Sequence, residues 1–574
     1  MKLILAHYLR TLRERDEFDR LLPNLLLSMG YVPLSKPQTG VRQYGVDLSV
    51  IGKSDADGVE ELLLFVIKQG DIGRREWDSG PTSVRPTLND IVDVYLTRNI
   101  PSEYSGTRKV IILATTGDLK QDVEVNWDSY KDRYLSVCNF AFWSGDRVAS
   151  LVDKYMLNEH VFASDDQIDI RKAIALAPDK DYDFIDLQRL LLRQLGLDKS
   201  GNVHSTLTAK NLLKSLRRVH LASQLCANQA EIGNNYIQAI WICERALLLS
   251  WHRVYILSDD ELEIVLPGIV DLLQSYLKVS WDYFNIINGR FGVKDGFAAY
   301  SADSEICSLI LFENIGLIAL VGLAAYLFPD IDGEITADLK NTADAVAECL
   351  SLLIVNNSSS SSPRLDSHIV DILLALMLLY TTGHNEACRK WLHNLIIRLD
   401  YCFKRCWKFP VSSDSIDDLI SLETELEDID ARKELMKMSW CLPTLAAWSA
   451  LLNLDDLYTV LSSGSRDHYF YVCGQLWHQN SDWQSHWYFS QTRNFGETEA
   501  PFVLPNTAEE LRQQIKLFLS LQDYQWNTTS RAHKVGLSIL DYIACRHYRR
   551  PVPAFAWYNL LTSNHPDVDQ DMTN

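Results

Sequence analysis

The sequence lacks several features that would place it at once in a familiar class of protein. It contains neither a GxxxxGK phosphate-binding loop nor a GxSxG nucleophile elbow, so we do not expect an ATPase or an esterase. Its 11 cysteines are scattered without paired spacing, which is typical of reduced proteins. The apolar stretch at the start is too short for a secretory signal. We therefore expect a cytoplasmic protein.

Only one hydrophobic run is long enough to be compared with a membrane span. It covers residues 306 to 328, and Glu313 and Asn314 lie near its middle. A carboxylate and an amide at the centre of a bilayer would be costly, because hydrocarbon offers them no hydrogen-bond partners. The sequence therefore predicts a buried helix in this segment and no contact with a membrane.

Charge is distributed unevenly along the 574 residues, which is a length that suggests several domains. The net charge is −20, yet residues 1 to 155 carry 20 Lys and Arg against 22 Asp and Glu. The remainder carries 35 against 53, so nearly all of the excess acid lies outside the first domain. Because an acidic surface repels nucleic acid, we expect any contact with DNA to be confined to the first domain or supplied by a partner.

The first 155 residues alternate between helical and strand-like patterns. Helical spacing of apolar residues runs from 8 to 29, and two further helices are predicted at 87 to 96 and 146 to 155. Strand-like runs occur at 46–51, 62–67, 110–115 and 136–143, and the second and third are apolar enough for burial on both faces. The pattern predicts an α/β domain with a mixed central sheet flanked by helices, over residues 1 to 160.

The rest of the chain is predicted to be a large all-α region without strands. We divide it into a helical domain at residues 161 to 355 and a helical C-terminal domain at 365 to 574. Between them, residues 356 to 364 contain five consecutive serines followed by a proline, which is typical of a linker or loop. This acidic helical region is the expected site of a protein partner or of homo-oligomer formation.

The main candidate for a catalytic site combines an aspartate and a lysine on neighbouring strands. Asp47 lies in the run GVDL, and Lys68 lies in the next apolar run, FVIKQ. Metal-dependent cleavage of a phosphodiester uses a carboxylate to hold Mg²⁺, while a nearby ammonium supports the nucleophile or the transition state. This pair of residues therefore indicates phosphodiester chemistry.

Five segments of the first domain, in order, resemble those of Mrr-like restriction endonuclease domains. They are FDRLL at 18–22, GVDL at 45–48, VIKQ at 66–69, KVIILATTG at 109–117 and FWSGDRVASLV at 142–152. The resemblance covers about a quarter of the chain. It implies a PD-(D/E)xK nuclease fold that uses Mg²⁺ or Mn²⁺ and acts on DNA. It further implies that Asp47 is the main metal ligand, Lys68 the catalytic lysine, Asp19 the helix acid and second metal ligand, and Gln69 a polar residue lining the site.

The architecture as a whole also carries a resemblance. A nuclease domain joined to a large helical region looks like the effectors of prokaryotic anti-phage defence systems, in which the helical part regulates or assembles the nuclease. This likeness rests on architecture alone.

One position departs from the nuclease pattern. The family carries a second carboxylate or a glutamine two residues before the lysine, on the same face of the strand, and this position is Val66 here. Either another residue supplies the missing ligand, or the domain is a catalytically inactive scaffold that binds DNA or a partner. The candidates for the replacement ligand are Asp19, Glu60, Glu61 and Gln69.

The segment that follows the lysine strand is the predicted nucleic-acid contact. Its arginines Arg74, Arg75 and Arg85, together with Arg42, could bind phosphates, and Trp77 could stack on a base. The alternative is a surface loop whose tryptophan packs on the sheet.

Overall fold

The computed structural model describes most of the chain, in ten stretches. These are residues 2–35, 44–54, 57–156, 164–297, 304–327, 333–424, 428–479, 482–489, 497–520 and 529–563. The chain forms two compact units, one of Met1–Leu195 with Leu207–Ala239 and one of Gly196–Thr206 with Ile240–Asn574. These divisions differ from the boundaries predicted at residues 160, 355 and 364.

The first unit is built on a mixed five-stranded sheet. Its strands are β1 (Val32–Ser35), β2 (Leu48–Lys53), β3 (Glu60–Lys68), β4 (Arg108–Thr115) and β5 (Asn139–Trp143). They lie side by side in that order. The β1–β2 and β2–β3 pairs are antiparallel, and the β3–β4 and β4–β5 pairs are parallel. The predicted mixed sheet is confirmed, and β1 is an edge strand that the sequence pattern missed.

The two central strands are buried on both faces, as their continuous apolar runs predict. In β3 every residue from Glu61 to Ile67 is buried, and in β4 burial extends from Ile111 to Thr115. Central strands of a sheet covered by helices on both sides have no polar face, which explains why alternation is absent here. The sheet is thus the middle layer of the first unit.

Helices cover both faces of this sheet and continue beyond it. They are α1 (Lys2–Thr11), α2 (Asp19–Ser28), α3 (Arg74–Asp78), α4 (Val84–Asp90), α5 (Leu96–Arg98), α6 (Gln121–Tyr134), α7 (Gly145–Tyr155), α8 (Ser164–Leu176), α9 (Ile185–Leu195) and α10 (Ala209–Ile232). A π-helical turn at Ile91–Tyr95 joins α4 to α5, so the helix predicted at 87 to 96 is part of a longer segment.

The single helix predicted from residue 8 to residue 29 is wrong in one respect. The chain breaks after α1, where Arg13 has an extended backbone, and re-enters α2 through a π-helical turn at Glu14–Phe18. The Glu17 carboxylate accepts a hydrogen bond from the Arg13 amide at 2.8 Å. This side chain supplies the partner that a helical carbonyl would otherwise provide, and it stabilises the break.

The second unit is largely helical. From residue 236 onward the helices are α11 (Tyr236–Val254), α12 (Asp259–Ile287), α13 (Ser304–Leu327), α14 (Gly333–Asn356), α15 (His368–Thr381), α16 (Asn385–Cys406), α17 (Ile416–Thr424), α18 (Ile429–Leu435), α19 (Cys441–Leu451), α20 (Asp455–Asp467), α21 (Gln484–Trp487), α22 (Ala508–Ser520), α23 (Arg531–Lys534), α24 (Ile539–Tyr548) and α25 (Ala554–Ser563). The expectation of no strands is wrong, because two short pairs are present, Met438–Ser439 with Cys473–Gly474 and Leu476–His478 with Glu497–Glu499.

The serine-rich segment, predicted to be a linker or loop, is a packed turn of 3-10 helix at Ser358–Ser361. The Ser360 hydroxyl donates to the Ile354 carbonyl at 2.8 Å, and the Trp391 indole donates to the Ser360 carbonyl at 3.0 Å. Serines are small enough to bury at such a turn when their hydroxyls are bonded to backbone.

Among the described residues, one helix is long and apolar enough to cross a membrane, Ile306–Leu327 within α13, with a mean hydropathy of 2.2. Most of it is buried, as predicted for a core helix. Its polar residues have partners in the same unit, since Tyr283 donates to the Asn314 side chain at 2.8 Å and Arg546 lies 3.7 Å from Glu313.

Gly145 offers a test of how α7 is attached to the sheet. A Cβ at this position would lie 2.3 Å from the Thr116 carbonyl oxygen, and the Gly145 amide donates to the Gly117 carbonyl at 2.8 Å. We expect Gly145→Ala to destabilise the first unit by about 1–3 kcal/mol through overpacking. Hydrogen exchange of the β4 and α7 amides would measure this. Gly106→Ala, where a Cβ meets nothing within 4 Å, is the control and should leave exchange unchanged.

Candidate active site

Asp47 lies where β2 and β3 begin to separate. Its amide donates to the Phe65 carbonyl at 2.9 Å, and its carboxylate accepts from the Ile67 amide at 2.7 Å. These two bonds bracket Val66, so the backbone holds Asp47 level with that residue. Because a charge-assisted bond to a backbone amide is short and directional, the orientation of the carboxylate is fixed by the sheet itself.

Three further charged groups act on the Asp47 carboxylate. The pKa of Asp47 is raised to about 6, chiefly by burial; the Ile67 amide and the Lys68 ammonium oppose the rise, and the carboxylates of Glu14 and Asp19 add to it. Lys68 is the last residue of β3 and is partly exposed. The structure thus brings the predicted residues Lys68 and Asp19 within electrostatic reach of Asp47.

Glu14 is the member of this group that the sequence pattern did not single out. It belongs to the π-helical turn that leads into α2, and Asp19 is the first residue of α2. A regular helix from residue 8 to 29 would have placed Glu14 and Asp19 on different faces of one cylinder. The break at Arg13 changes the direction of the chain. In the sequence, the only signal for an acidic group here is the density of acids before Phe18.

The other replacement ligands proposed for the position of Val66 lie elsewhere. Glu61 is at the opposite end of β3, seven residues and roughly 20 Å from Lys68 along the strand. It accepts from the Tyr31 hydroxyl and pairs with Arg108, both at 2.8 Å. Glu60 precedes it and is exposed. Both glutamates are therefore too far from Asp47 to share a metal ion with it.

Gln69 is exposed and follows directly on Lys68, before the chain turns at Gly70 with a φ of +71°. That turn is held against the end of β4. The Gly70 amide donates to the Thr116 hydroxyl at 2.8 Å, and the Thr115 hydroxyl donates to the Gly70 carbonyl. The backbone around Lys68 and Gln69 is therefore tied to a buried neighbouring strand.

Val66 is completely buried. It belongs to the hydrophobic core on one side of the sheet, together with Leu64, Leu113 and Leu88. Val66 stands at the position where the nuclease pattern predicts a second acidic ligand. The immediate surroundings of residue 66 are therefore apolar.

The acidic groups around Asp47 offer only oxygen donors. Among the residues that the structure describes, no group of three His, Cys, Asp or Glu side chains could hold a metal ion by itself. Mg²⁺ does not need such a group, because it keeps several waters and is often held by one or two carboxylates. Asp47, Asp19 and Glu14 therefore offer donors of the type that Mg²⁺ and Mn²⁺ prefer, and an all-oxygen set does not suit zinc.

Of the arginines predicted to bind nucleic acid, Arg74, Arg75 and Arg85 lie on the surface, and two of these three are near acids. Arg85 pairs with Asp78 at 2.6 Å, and Arg74 lies 3.9 Å from Asp122. Arg75 is exposed on α3. Arg42 lies outside the described residues. A phosphate would therefore compete with Asp78 for Arg85.

The expectation that Trp77 stacks on a base is corrected by the structure. Its side chain is only 4% exposed, and its ring makes edge-to-face contacts with Trp127 at 6.3 Å and Tyr130 at 6.1 Å between centroids. A large aromatic ring on a short helix gains more by filling the core beside α6 than by facing solvent. The alternative prediction was a surface loop whose tryptophan packs on the sheet. Trp77 does belong to the core on one side of the sheet, although its segment is helix α3.

Comparison of the chain with models of known protein families, with curated proteins and with solved structures gives no match. The mixed five-stranded sheet with flanking helices and the large helical region are thus known from this structure and not from a relative. Any function must therefore be argued from the geometry around Asp47 and from the chemistry of its neighbours.

Asp47→Asn should stabilise the first unit at neutral pH. The raised pKa means that the folded state holds the proton more tightly than the unfolded state, so stability is lost as pH rises from about 4 to about 6. An asparagine keeps an oxygen for the Ile67 amide and carries no charge. We expect a gain of about 1–3 kcal/mol at pH 7.5 without added metal, and none at pH 3.5.

Hydrogen exchange of β2 and β3 amides in the wild-type chain and in the variant, at both pH values, would measure this difference. A variant less stable than the wild type at pH 7.5 would contradict the prediction, because it would mean that a partner stabilises the ionised carboxylate.

Proposed function

We propose that the first unit carries a restriction-endonuclease-like domain that cleaves the phosphodiester bonds of DNA with the help of Mg²⁺ or Mn²⁺. The observation that supports this most directly is the grouping of Asp47 with Lys68, Asp19 and Glu14 where β2 and β3 separate. Burial and neighbouring acids destabilise the ionised form of such a carboxylate, and a bound divalent cation would stabilise it. The order of sequence segments shared with Mrr-like domains supports the same function.

In this proposal each residue has one task. Asp47, fixed by the Ile67 amide, would hold the metal ion with the help of the Asp19 and Glu14 carboxylates. The bound ion would supply charge neutralisation and a more acidic water. The Lys68 ammonium, at the end of a buried strand, would donate to an oxygen of the scissile phosphate and stabilise the charge that develops there.

Cleavage assays with the full chain test this proposal. We expect plasmid or linear DNA to be cut in the presence of Mg²⁺ or Mn²⁺, and we expect Lys68→Met and Asp47→Asn each to lower the rate by at least about 100-fold. Lys53→Met is the matched control, because Lys53 is an exposed lysine at the other end of the same hairpin. Equal rates for Lys53→Met and Lys68→Met would contradict the assignment of Lys68, and RNA offered in parallel would reveal the preferred substrate.

Burial of Val66 favours a second candidate, a nuclease-derived domain that binds DNA or a protein partner without cutting. In this case the core has replaced the second acidic ligand, and Asp47 and Lys68 are remnants of the ancestral site. The two candidates differ in whether the domain needs a carboxylate at position 66 to hold a metal ion.

Val66→Glu separates them. A glutamate at this fully buried position should destabilise the first unit by about 3 kcal/mol or more without metal. If the site has decayed, Mn²⁺ should restore the stability of Val66→Glu while leaving the wild type unaffected, as measured by thermal unfolding. Leu64→Glu, on the same face and equally buried, is the control that Mn²⁺ should not rescue. Stabilisation of the wild type by Mn²⁺ would instead support a working site.

We further propose that the helical region regulates or assembles the nuclease-like domain, as in prokaryotic anti-phage effectors. Its excess of acid makes it a poor surface for DNA and a reasonable one for a protein partner or a second copy of the chain.

A further inference from the structure

A cavity of about 270 Å³ in the second unit has an unusual balance of charge. It opens between the turn after the serine-rich segment, the C-terminal half of α16 and helix α17. Its charged lining residues are Arg364, Arg398, Lys408 and a single acid, Glu423. The cavity therefore holds two more positive charges than negative ones, within a chain whose net charge is −20.

The single acid is shared between two of the cations. Arg364 and Lys408 pair with different oxygens of the Glu423 carboxylate. Arg398 is exposed, and its Nε donates to the Ser362 hydroxyl at 3.1 Å. An anion entering the cavity would therefore meet the Arg398 guanidinium directly and could share Arg364 and Lys408 with Glu423.

The backbone holds these cations in place. The Val411 amide donates to the Arg364 carbonyl at 2.9 Å, and the Asp366 amide donates to the Val411 carbonyl at 2.8 Å. This short parallel bridge fixes the segment of Arg364 beside the segment of Lys408. Arg398 lies on α16, a helix of 22 residues, so its backbone is also well anchored. A site whose charged groups come from fixed backbone loses little entropy on binding.

The remaining wall of the cavity is apolar. It is formed by four side chains that are each at most 4% exposed, Leu399, Phe409, Leu419 and Leu422. Cys402 and Cys406, one turn apart on α16, also line it, as do Pro363 and Pro410. Burial raises the pKa of the Cys402 thiol, and Arg398 and Arg364 lower it, which places both guanidinium groups near this wall.

We propose that this cavity binds a small phosphate monoester with an apolar or aromatic body. A phosphate monoester carries close to two negative charges at neutral pH, which matches the excess of two cations, and its oxygens suit the planar guanidinium of arginine. The volume lies just below the range of roughly 300–1,000 Å³ for small-molecule sites, so it admits a ligand with one ring. This proposal is independent of the proposed nuclease function.

Isothermal titration of the full chain tests the proposal, with phenyl phosphate as the probe. Inorganic phosphate lacks the apolar body and phenol lacks the charge, so each should bind at least about fivefold more weakly than phenyl phosphate. Arg398→Gln should weaken phenyl phosphate binding by about tenfold. Lys390→Gln is the control, because Lys390 is an exposed cation on the same helix outside the cavity lining.

Glu423→Gln provides a test of opposite sign. Removing the internal carboxylate releases Arg364 and Lys408 for the ligand, so phenyl phosphate should bind several-fold more tightly to this variant. Exposed Cys406 gives a local readout, since bound phenyl phosphate should slow its alkylation by iodoacetamide.

Three results would overturn the proposal. The first is the absence of phenyl phosphate binding at millimolar concentration. The second is equal weakening by Arg398→Gln and Lys390→Gln, which would mean that the anion binds the surface at large. The third is weaker binding in Glu423→Gln. Equal affinity for phenyl phosphate and inorganic phosphate would refute the part of the proposal that concerns the apolar wall.

Discussion

The hydrogen bond from the Ile67 amide to the Asp47 carboxylate is the interaction on which the candidate site depends. It replaces a backbone ladder bond at the point where β2 and β3 separate. The chain before β2 can therefore leave the sheet while the Asp47 carboxylate stays beside β3. Burial and the nearby acids make this carboxylate unfavourable, yet the backbone bond keeps it in place. Such a balance, in which stability is given up at one position, is typical of functional sites.

The sheet was predictable from the sequence because its central strands are continuous apolar runs. The apolar runs around Leu64 and Ile112 need helices on both faces, and this requirement is enough to predict a covered sheet. The placement of Asp47 and Lys68 at one end of adjacent strands follows from their positions relative to those runs. The short edge strand β1 lacked such a run, and for that reason it was missed.

Other parts of the site depend on contacts that no local pattern records. Glu14 reaches Asp47 only because the helix breaks at Arg13, and Trp77 turns inward because α6, more than forty residues later in the chain, offers it aromatic partners. Arg85, on α4, pairs with Asp78 at the end of α3, seven residues earlier in the chain. The cavity with excess positive charge is equally invisible in sequence, since its cations come from three separate segments of a region whose overall charge is strongly negative.

The inward position of Trp77 limits how the segment after the lysine strand can move. Helix α3 begins only six residues after Lys68, and the Trp77 ring anchors it among Trp127, Tyr130 and the sheet. A ring buried in this way cannot leave without opening a large void, so slow excursions of α3 away from the sheet are coupled to loosening of the core. Fluorescence from this group of aromatic rings would therefore report slow movements of the chain beside Lys68.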